Sequence, residues 1–175
     1  MHYTTLSTSW GWFGFITRSG RLVKTILPRS RIELLDLLRA DQAVEAKKSL
    51  PGFQKQVLGY FQGEEVRFNV EIDLGGVPPF HRRVLEACRR IPYGQTASYA
   101  DLARAAGNAS AVRAAGGAMA NNPLPLVIPC HRVLRADGSI GGFSSTRGIG
   151  EKIQLLRHEG IVLAGLATRR LRRAG

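Results

Sequence analysis

At 175 residues and 19.1 kDa, with 44% hydrophobic residues, the chain is long enough to bury a full core, as one large domain or two small ones. Its two cysteines, Cys88 and Cys130, are too few for a disulfide framework, and no Cys/His spacing suggests a zinc site. The net charge of +12 and pI near 10.8 argue for a polyanionic partner, and the excess is lopsided: residues 1–80 carry 10 basic and 8 acidic side chains, residues 81–175 carry 15 and 5.

Residues 2–27 mix aromatic, β-branched and glycine residues in short runs, which predicts two or three antiparallel strands with tight turns. The run Trp10–Ile16 has no basic start before it and does not read as a signal peptide. No apolar stretch approaches the ~20 residues that cross a bilayer. No membrane association is expected, and a reducing cytoplasm is the expected compartment, at the nucleoid if the source is bacterial. Ile32, Leu34, Leu35, Leu37 and Leu38 predict a short helix, and Phe53, Val57, Leu58 and Phe61 a second. Val66–Ile72 alternates apolar and polar residues, the pattern of a one-faced strand. Gly75-Gly76-Val77-Pro78-Pro79 is the best domain boundary.

Beyond it the reading turns helical. Phe80, Val84, Cys88 and Ile91 form an apolar stripe that places Cys88 in a core, and Pro92-Tyr93-Gly94 breaks that helix. Ser98 can cap the next helix, with Asp101 in its first turn and Tyr99, Leu102, Ala103 and Ala106 on one face. Gly107-Asn108 ends it, and a further helix runs roughly from Ser110 to Met119, giving a helix-turn-helix pattern. That last helix is almost bare: Ala111, Ala114, Ala115, Gly116, Gly117, Ala118 and Ala120 leave Arg113 as its one long cation. A bare helix suits either tight helix–helix packing or insertion into a narrow groove, with Arg113 as a lever between stacked bases. Asn121–Pro125 must be extended, Asp137-Gly138 reads as the turn of a hairpin joining Val133-Leu134 to Ile140, and Ile149, Ile153 and Leu156 mark a last helix closing at His158-Glu159-Gly160. The tail Arg169-Arg170-Leu171-Arg172-Arg173 adds non-specific attraction to phosphate.

The most informative stretch is Pro129-Cys130-His131-Arg132-Val133. A cysteine is a nucleophile only as thiolate, and a neighbouring imidazole is one of the few groups that can make thiolate near neutral pH. The residue-level alternative is a buried, inert thiol that happens to precede a histidine.

Taken together, Ile91-Pro92-Tyr93-Gly94, Ser98-Tyr99, Arg113, Gly116-Gly117-Ala118-Met119, Asn122-Pro123, Ile128-Pro129-Cys130-His131-Arg132-Val133 and His158-Glu159-Gly160 resemble the 6-O-alkylguanine-DNA alkyltransferase family, also called methylated-DNA–protein-cysteine methyltransferases. The resemblance covers about Phe80 to Gly160; residues 1–79 carry the right rough layout without a motif. It implies an α+β fold: residues 1–76 a supporting domain with a small antiparallel sheet and helices (ribonuclease H-like), residues 77–165 a winged-helix-like domain with a helix-turn-helix and an active-site loop, and 166–175 a basic tail. It implies a monomer that binds double-stranded DNA through the minor groove, flips out 6-O-alkylguanine or 4-O-alkylthymine, and moves the alkyl group irreversibly to Cys130, once per molecule, with no metal and no cofactor.

The resemblance also assigns roles. Cys130 is the acceptor, kept partly ionised by His131 through a water, with Glu159 orienting and stabilising that imidazole. Asn122 hydrogen-bonds within the site, although capping of its own turn would also explain it, and Tyr99 supplies a hydroxyl at the base. Arg113 inserts into the duplex, with Ser98, Tyr99, Ala114 and Gly116 at the DNA. Val133, Phe143 and Ser144 form the base pocket. Phe143 stands where many relatives carry Tyr, and Ser144–Gly148 is longer than usual. The non-repairing alkyltransferase-like proteins carry Trp at the acceptor position, where this chain has Cys130. Two other classes compete: a DNA-binding or damage-sensing module in which Cys130 is structural, and a cysteine hydrolase, which leaves the basic half and Arg113 without purpose.

Overall fold

Short runs of aromatic, aliphatic and threonine residues, buried consecutively where helices cover both faces, build the first sheet. In a computed structural model that describes residues 1–143, 145 and 147–163, β1 (His2–Thr8), β2 (Gly11–Arg18) and β3 (Arg21–Arg29) form an antiparallel meander. A two-residue β4 (Val44–Glu45) joins β1 in parallel, so the sheet order is β3-β2-β1-β4. The sheet has helices on both faces. Helix α1 (Arg31–Ala40), capped by a Ser30/Glu33 capping box, seats Leu34 and Leu38 on Ile16 and Ile26. Helix α2 (Pro51–Phe61) presents Phe53 to Phe13 and Phe15, and Phe61 to Phe13, on the other face.

Residues 62–78 lead to the second half. Val66–Ile72 is not the expected strand: the segment is extended, but only Ile72 bridges, to Leu22, through the flanking bonds Leu22 N–H to Glu71 O (2.9 Å) and Asp73 N–H to Leu22 O (2.8 Å). Its polar groups turn to side chains instead, with Arg67 O accepting from Gln56 and Val70 O from Arg89. Alternation encodes one buried face; it does not supply a neighbouring strand.

Helix α3 (Pro79–Arg89) starts with Pro at its first position and buries Val84 and Cys88, as the stripe predicts, together with Leu85. Helix α4 (Tyr99–Ala105) has the Ser98/Asp101 capping box, Gly107 at φ +86° makes the turn, and α5 (Val112–Ala120) follows, two residues later than expected because Ser110 bonds Asn108 and stays in the turn. The turn at Asp137-Gly138 forms, with Arg135 N–H to Ser139 O at 2.9 Å, but no β-ladder reaches Ile140. Instead β6 (Val133–Leu134) pairs in parallel with β5 (Ala97–Ser98). Helix α6 (Gly148–His158) closes the described fold; it buries Glu151, Lys152, Leu155 and Leu156, and of the three residues that mark it Leu156 is fully buried, Ile153 partly buried and Ile149 half exposed. The basic tail lies outside the described residues.

One continuous apolar cluster runs from Phe13 and Phe15 through Phe53 and Tyr60 to Val84, Cys88, Ala115, Ile128 and Cys130. The N-terminal sheet also grips the loop before Cys130 directly: Thr25 N–H donates to Pro123 O (3.0 Å) and Thr25 Oγ1 to Pro125 O (2.6 Å). No helix among the described residues is long and apolar enough to cross a membrane.

Candidate active site

Three turns in succession aim Cys130. Asn122 Oδ1 accepts from Leu124 N–H (3.0 Å) and its Nδ2 donates to Ile128 O (2.8 Å), pinning both ends of the Leu124–Ile128 run. Leu126 lies at φ +79°, a strained region for a γ-branched residue, inside that pinned loop. Pro129 then sits at φ −79°, ψ 66°, an inverse γ-turn closed by Cys130 N–H to Ile128 O (2.8 Å). Cys130–Arg132 form one 3-10 turn running into β6.

Cys130 retains 6% exposure, which opens onto a cavity of about 510 Å³. Tyr99, Met119, Gly141, Gly142 and Phe143 line the cavity, with Arg113 and Gly116 from α5 and Arg135 from the turn. Of the residues singled out in the sequence, Tyr99, Arg113, Gly116, Cys130 and Phe143 therefore meet around one space. Arg113 and Ala114 are exposed at the start of α5, and Ser98 caps α4. Val133 is not a wall of the cavity: it is fully buried, and its carbonyl accepts from Lys152 Nζ at 2.5 Å. Ser144 lies outside the described residues.

Behind the sulfur is a buried polar cluster. His131 is fully buried; its Nε2 donates to Glu159 Oε1 at 2.7 Å, and its Nδ1 is buried with no partner among the described residues. Glu159 is over-determined. Arg132 donates from Nε to Oε2 (2.8 Å) and from Nη2 to Oε1 (2.9 Å), Tyr60 Oη donates to Oε1 (2.8 Å), and Gly94 N–H reaches Oε2 (3.3 Å). Arg132 Nη1 adds Ile91 O (2.6 Å), and its guanidinium lies 5.8 Å from the Tyr93 ring centre. Burial pushes the Glu159 carboxyl up, but the hydrogen bonds and charges of His131 and Arg132 outweigh it and hold its pKa at about 2. It is an anion throughout the working range.

Burial disfavours the charged form of the other two groups. Burial lowers the His131 pKa below its ordinary value against the pull of Glu159. Burial raises the Cys130 thiol, opposed by the Asn122 amide, the Lys152 charge and backbone N–H groups. Burial thus opposes the partial ionisation of the sulfur by His131 that the resemblance implies. Complete burial pushes the Cys88 thiol far up.

Lys152 escaped the sequence reading. It is completely buried on α6, 5.9 Å from the Tyr99 ring centre, and burial brings its pKa down to about 8 against the opposing pull of Cys130 and Cys88. It supplies positive charge beside the thiol. Arg132 and Tyr60 were missed too; Arg132 stands inside the Cys-His motif, whereas nothing local marks Tyr60. Among the described residues no group of three or more His, Cys, Asp or Glu is arranged to hold a metal ion.

The family model described as "6-O-methylguanine DNA methyltransferase, DNA binding domain" matches residues 79–161. The chain is 34% identical over 148 residues to the constitutive methylated-DNA–protein-cysteine methyltransferase of Bacillus subtilis, covering 83% of this chain and 88% of that protein. It is 44% identical over 107 residues to the methylated-DNA–protein-cysteine methyltransferase of Methanothermobacter thermautotrophicus, a match covering 61% of this chain and 58% of that protein. Its fold is similar to the crystal structure of the O6-methylguanine methyltransferase of Mycobacterium tuberculosis (TM-score 0.75, 31% identity, 94% of this chain and 96% of that one). A Mycobacterium tuberculosis OGT in complex with DNA is equally similar (TM-score 0.75, 32% identity, 91% and 92%). With a relative matched along most of both chains, and the acceptor-type Cys-His pair seated where the fold opens, this chain belongs to the methylated-DNA–protein-cysteine methyltransferase family.

Proposed function

We propose that the chain repairs DNA by direct reversal: it flips 6-O-alkylguanine, and 4-O-alkylthymine, out of the duplex and takes the alkyl group onto Cys130. The observation that carries this reading is a nearly buried thiol at a 510 Å³ cavity, with a base-and-carboxylate pair behind it and the exposed, small-residue start of α5 beside it. The bare helix lies in the minor groove, and Arg113 fills the space the base leaves, offsetting a few kcal/mol of lost stacking. The base sits against Tyr99, Met119 and Phe143.

Transfer is a displacement at the alkyl carbon. The sulfur lone pair forms the C–S bond as the C–O bond breaks, and the electron pair stays on the base, where the Tyr99 hydroxyl donates to the developing anion. The thiol proton passes through a bridging water to His131 Nδ1, and Glu159 stabilises the resulting imidazolium. Lys152 and Asn122 favour the sulfur as it gains charge. A thioether has no good leaving group, so water cannot restore the thiol, and each molecule acts once as a monomer. The division into a supporting half (1–76) and an acceptor half (77–165) belongs to the same reading. The β3-β2-β1-β4 order supports a ribonuclease H-like first half, and α4–α5 with the β5/β6 pair supports a winged-helix-like second half.

Incubation with duplex carrying 6-O-methylguanine, followed by peptide mapping, tests the proposal. It predicts one added methylene on Cys130 and none on Cys88. Tight duplex binding without any mass gain would favour the non-catalytic, damage-sensing reading instead.

A further inference from the structure

The N-terminal half reaches into the reaction chemistry at one atom. We infer that Tyr60 is a positioning residue of the proton relay, its hydroxyl holding the Glu159 carboxylate and setting how strongly that carboxylate pulls on His131. The inference rests on the reading of Cys130, His131 and Glu159 as that relay.

Glu159 Oε1 accepts from three donors at once: His131 Nε2 at 2.7 Å, Tyr60 Oη at 2.8 Å and Arg132 Nη2 at 2.9 Å. Electron density drawn toward Tyr60 is density the imidazole cannot use, so the three bonds on one oxygen are coupled. Tyr60 comes from α2, 99 residues before Glu159 in the chain, and is fully buried. It cannot swing aside. Its ring packs on Phe61 (5.2 Å between centres, 88° between planes), His158 (5.0 Å, 56°) and Tyr93 (6.2 Å, 77°), and its carbonyl accepts from His158 Nε2 at 2.5 Å. Nor can it ionise in the working range: burial, then the Glu159 charge, drives the phenol far above its ordinary value. It is a permanent donor. The charged and titratable groups facing it are Glu159, Arg132, Tyr93 and His158; those facing His131 are Glu159, Arg132 and Lys152.

A buried tyrosine needs a partner for its hydroxyl whatever its role, so stability alone cannot separate a positioning residue from a packing one. Two variants of opposite sign can. Tyr60→Phe removes one oxygen and keeps the ring; Glu159 Oε1 becomes more basic, and His131⁺ is held better. Replacement of Tyr60 by 3,5-difluorotyrosine keeps the bond and strengthens the donor, which does the reverse. The readout is the pH dependence of Cys130 alkylation by iodoacetamide in the full chain, with the modified cysteine identified by mass. The acid limb should move up by about 0.5–1 pH unit in Tyr60→Phe and down in the fluorinated protein. An unchanged limb in both proteins, whatever happens to their melting temperatures, overturns the inference; if one fails to fold, the other decides alone. Iodoacetamide needs no DNA, so loss of methyl transfer from duplex with the shifts intact would count against the repair reading and not against Tyr60.

Discussion

Gly141 stands against the face of Tyr99 so closely that a methyl group there cannot be accommodated in place. A Cβ built on it would lie 2.5 Å from Tyr99 Oη, 2.7 Å from Cε2 and 3.0 Å from Cζ, all inside contact distance. The Gly141 backbone is not left-handed, so Gly141→Ala adds no backbone strain and the whole clash falls on the ring. Lys152 lies against that ring, and Tyr99 Oη is only 3.5 Å from Gly142 O, so the ring yields toward the cavity. A displacement of about 1 Å suffices to misplace a catalytic donor, at a cost of up to about 10²-fold in rate. The same movement narrows the 510 Å³ space, which a large substituent needs more than a methyl does. Single-turnover transfer from free 6-O-benzylguanine should therefore fall by about 10²-fold, and transfer from a 6-O-methylguanine duplex by about tenfold. Iodoacetamide reactivity of Cys130 should be unchanged, because the relay is untouched. Adding Tyr99→Phe to Gly141→Ala should cost little more, since both act on one hydroxyl. Transfer of benzyl and methyl at wild-type rates would refute the placement of Tyr99 over the base.

Three further outcomes are expected. Lys152→Met removes the cation beside the thiol, so Cys130 alkylation by iodoacetamide at pH 7 should slow about tenfold, with the rates converging at strongly alkaline pH where the thiol ionises unaided; a constant ratio at all pH values would contradict this. Glu159→Gln leaves Arg132 buried without its counter-charge and should cost about 3–5 kcal/mol in denaturant unfolding. The wild-type carboxyl is depressed from 4.5 to about 2, so its contribution is complete above the ordinary value and disappears as pH falls toward 2; the acid-unfolding curve of the Gln variant should lack that loss. Arg113→Ala should slow repair in duplex by about 10²-fold while leaving reaction with free base within about twofold, measured as single-turnover rates, because only the duplex requires a base to be held out; equal losses on both would remove its flipping role.

The second half was legible because its elements are written locally. Ser98 and Asp101 announce a helix start, Gly107 its end, and the proline before the Cys-His motif its own rigid turn. The residues that escaped act across long sequence separations. Tyr60 reads as one more apolar-face residue of α2, and only the fold brings its hydroxyl to Glu159. Lys152 is a cation in a helix marked by its aliphatic residues; its burial depends on a carbonyl acceptor at Val133 and a ring at Tyr99, neither of which periodicity reveals. The strand expected at Val66–Ile72 failed for the same reason, since alternation shows which side is apolar but not whether a neighbour is there to pair. Adjacency in sequence also says nothing of desolvation, the largest influence on the thiol at a nearly buried sulfur.

The most direct test titrates a fixed amount of protein with an increasing excess of 6-O-methylguanine duplex and counts methyl groups removed. A plateau at one methyl per molecule, matched by complete conversion of Cys130 to its thioether, is the result expected of an acceptor that cannot be regenerated. Removal that continues past one equivalent, or that stops at one with Cys130 still a free thiol, would contradict the account.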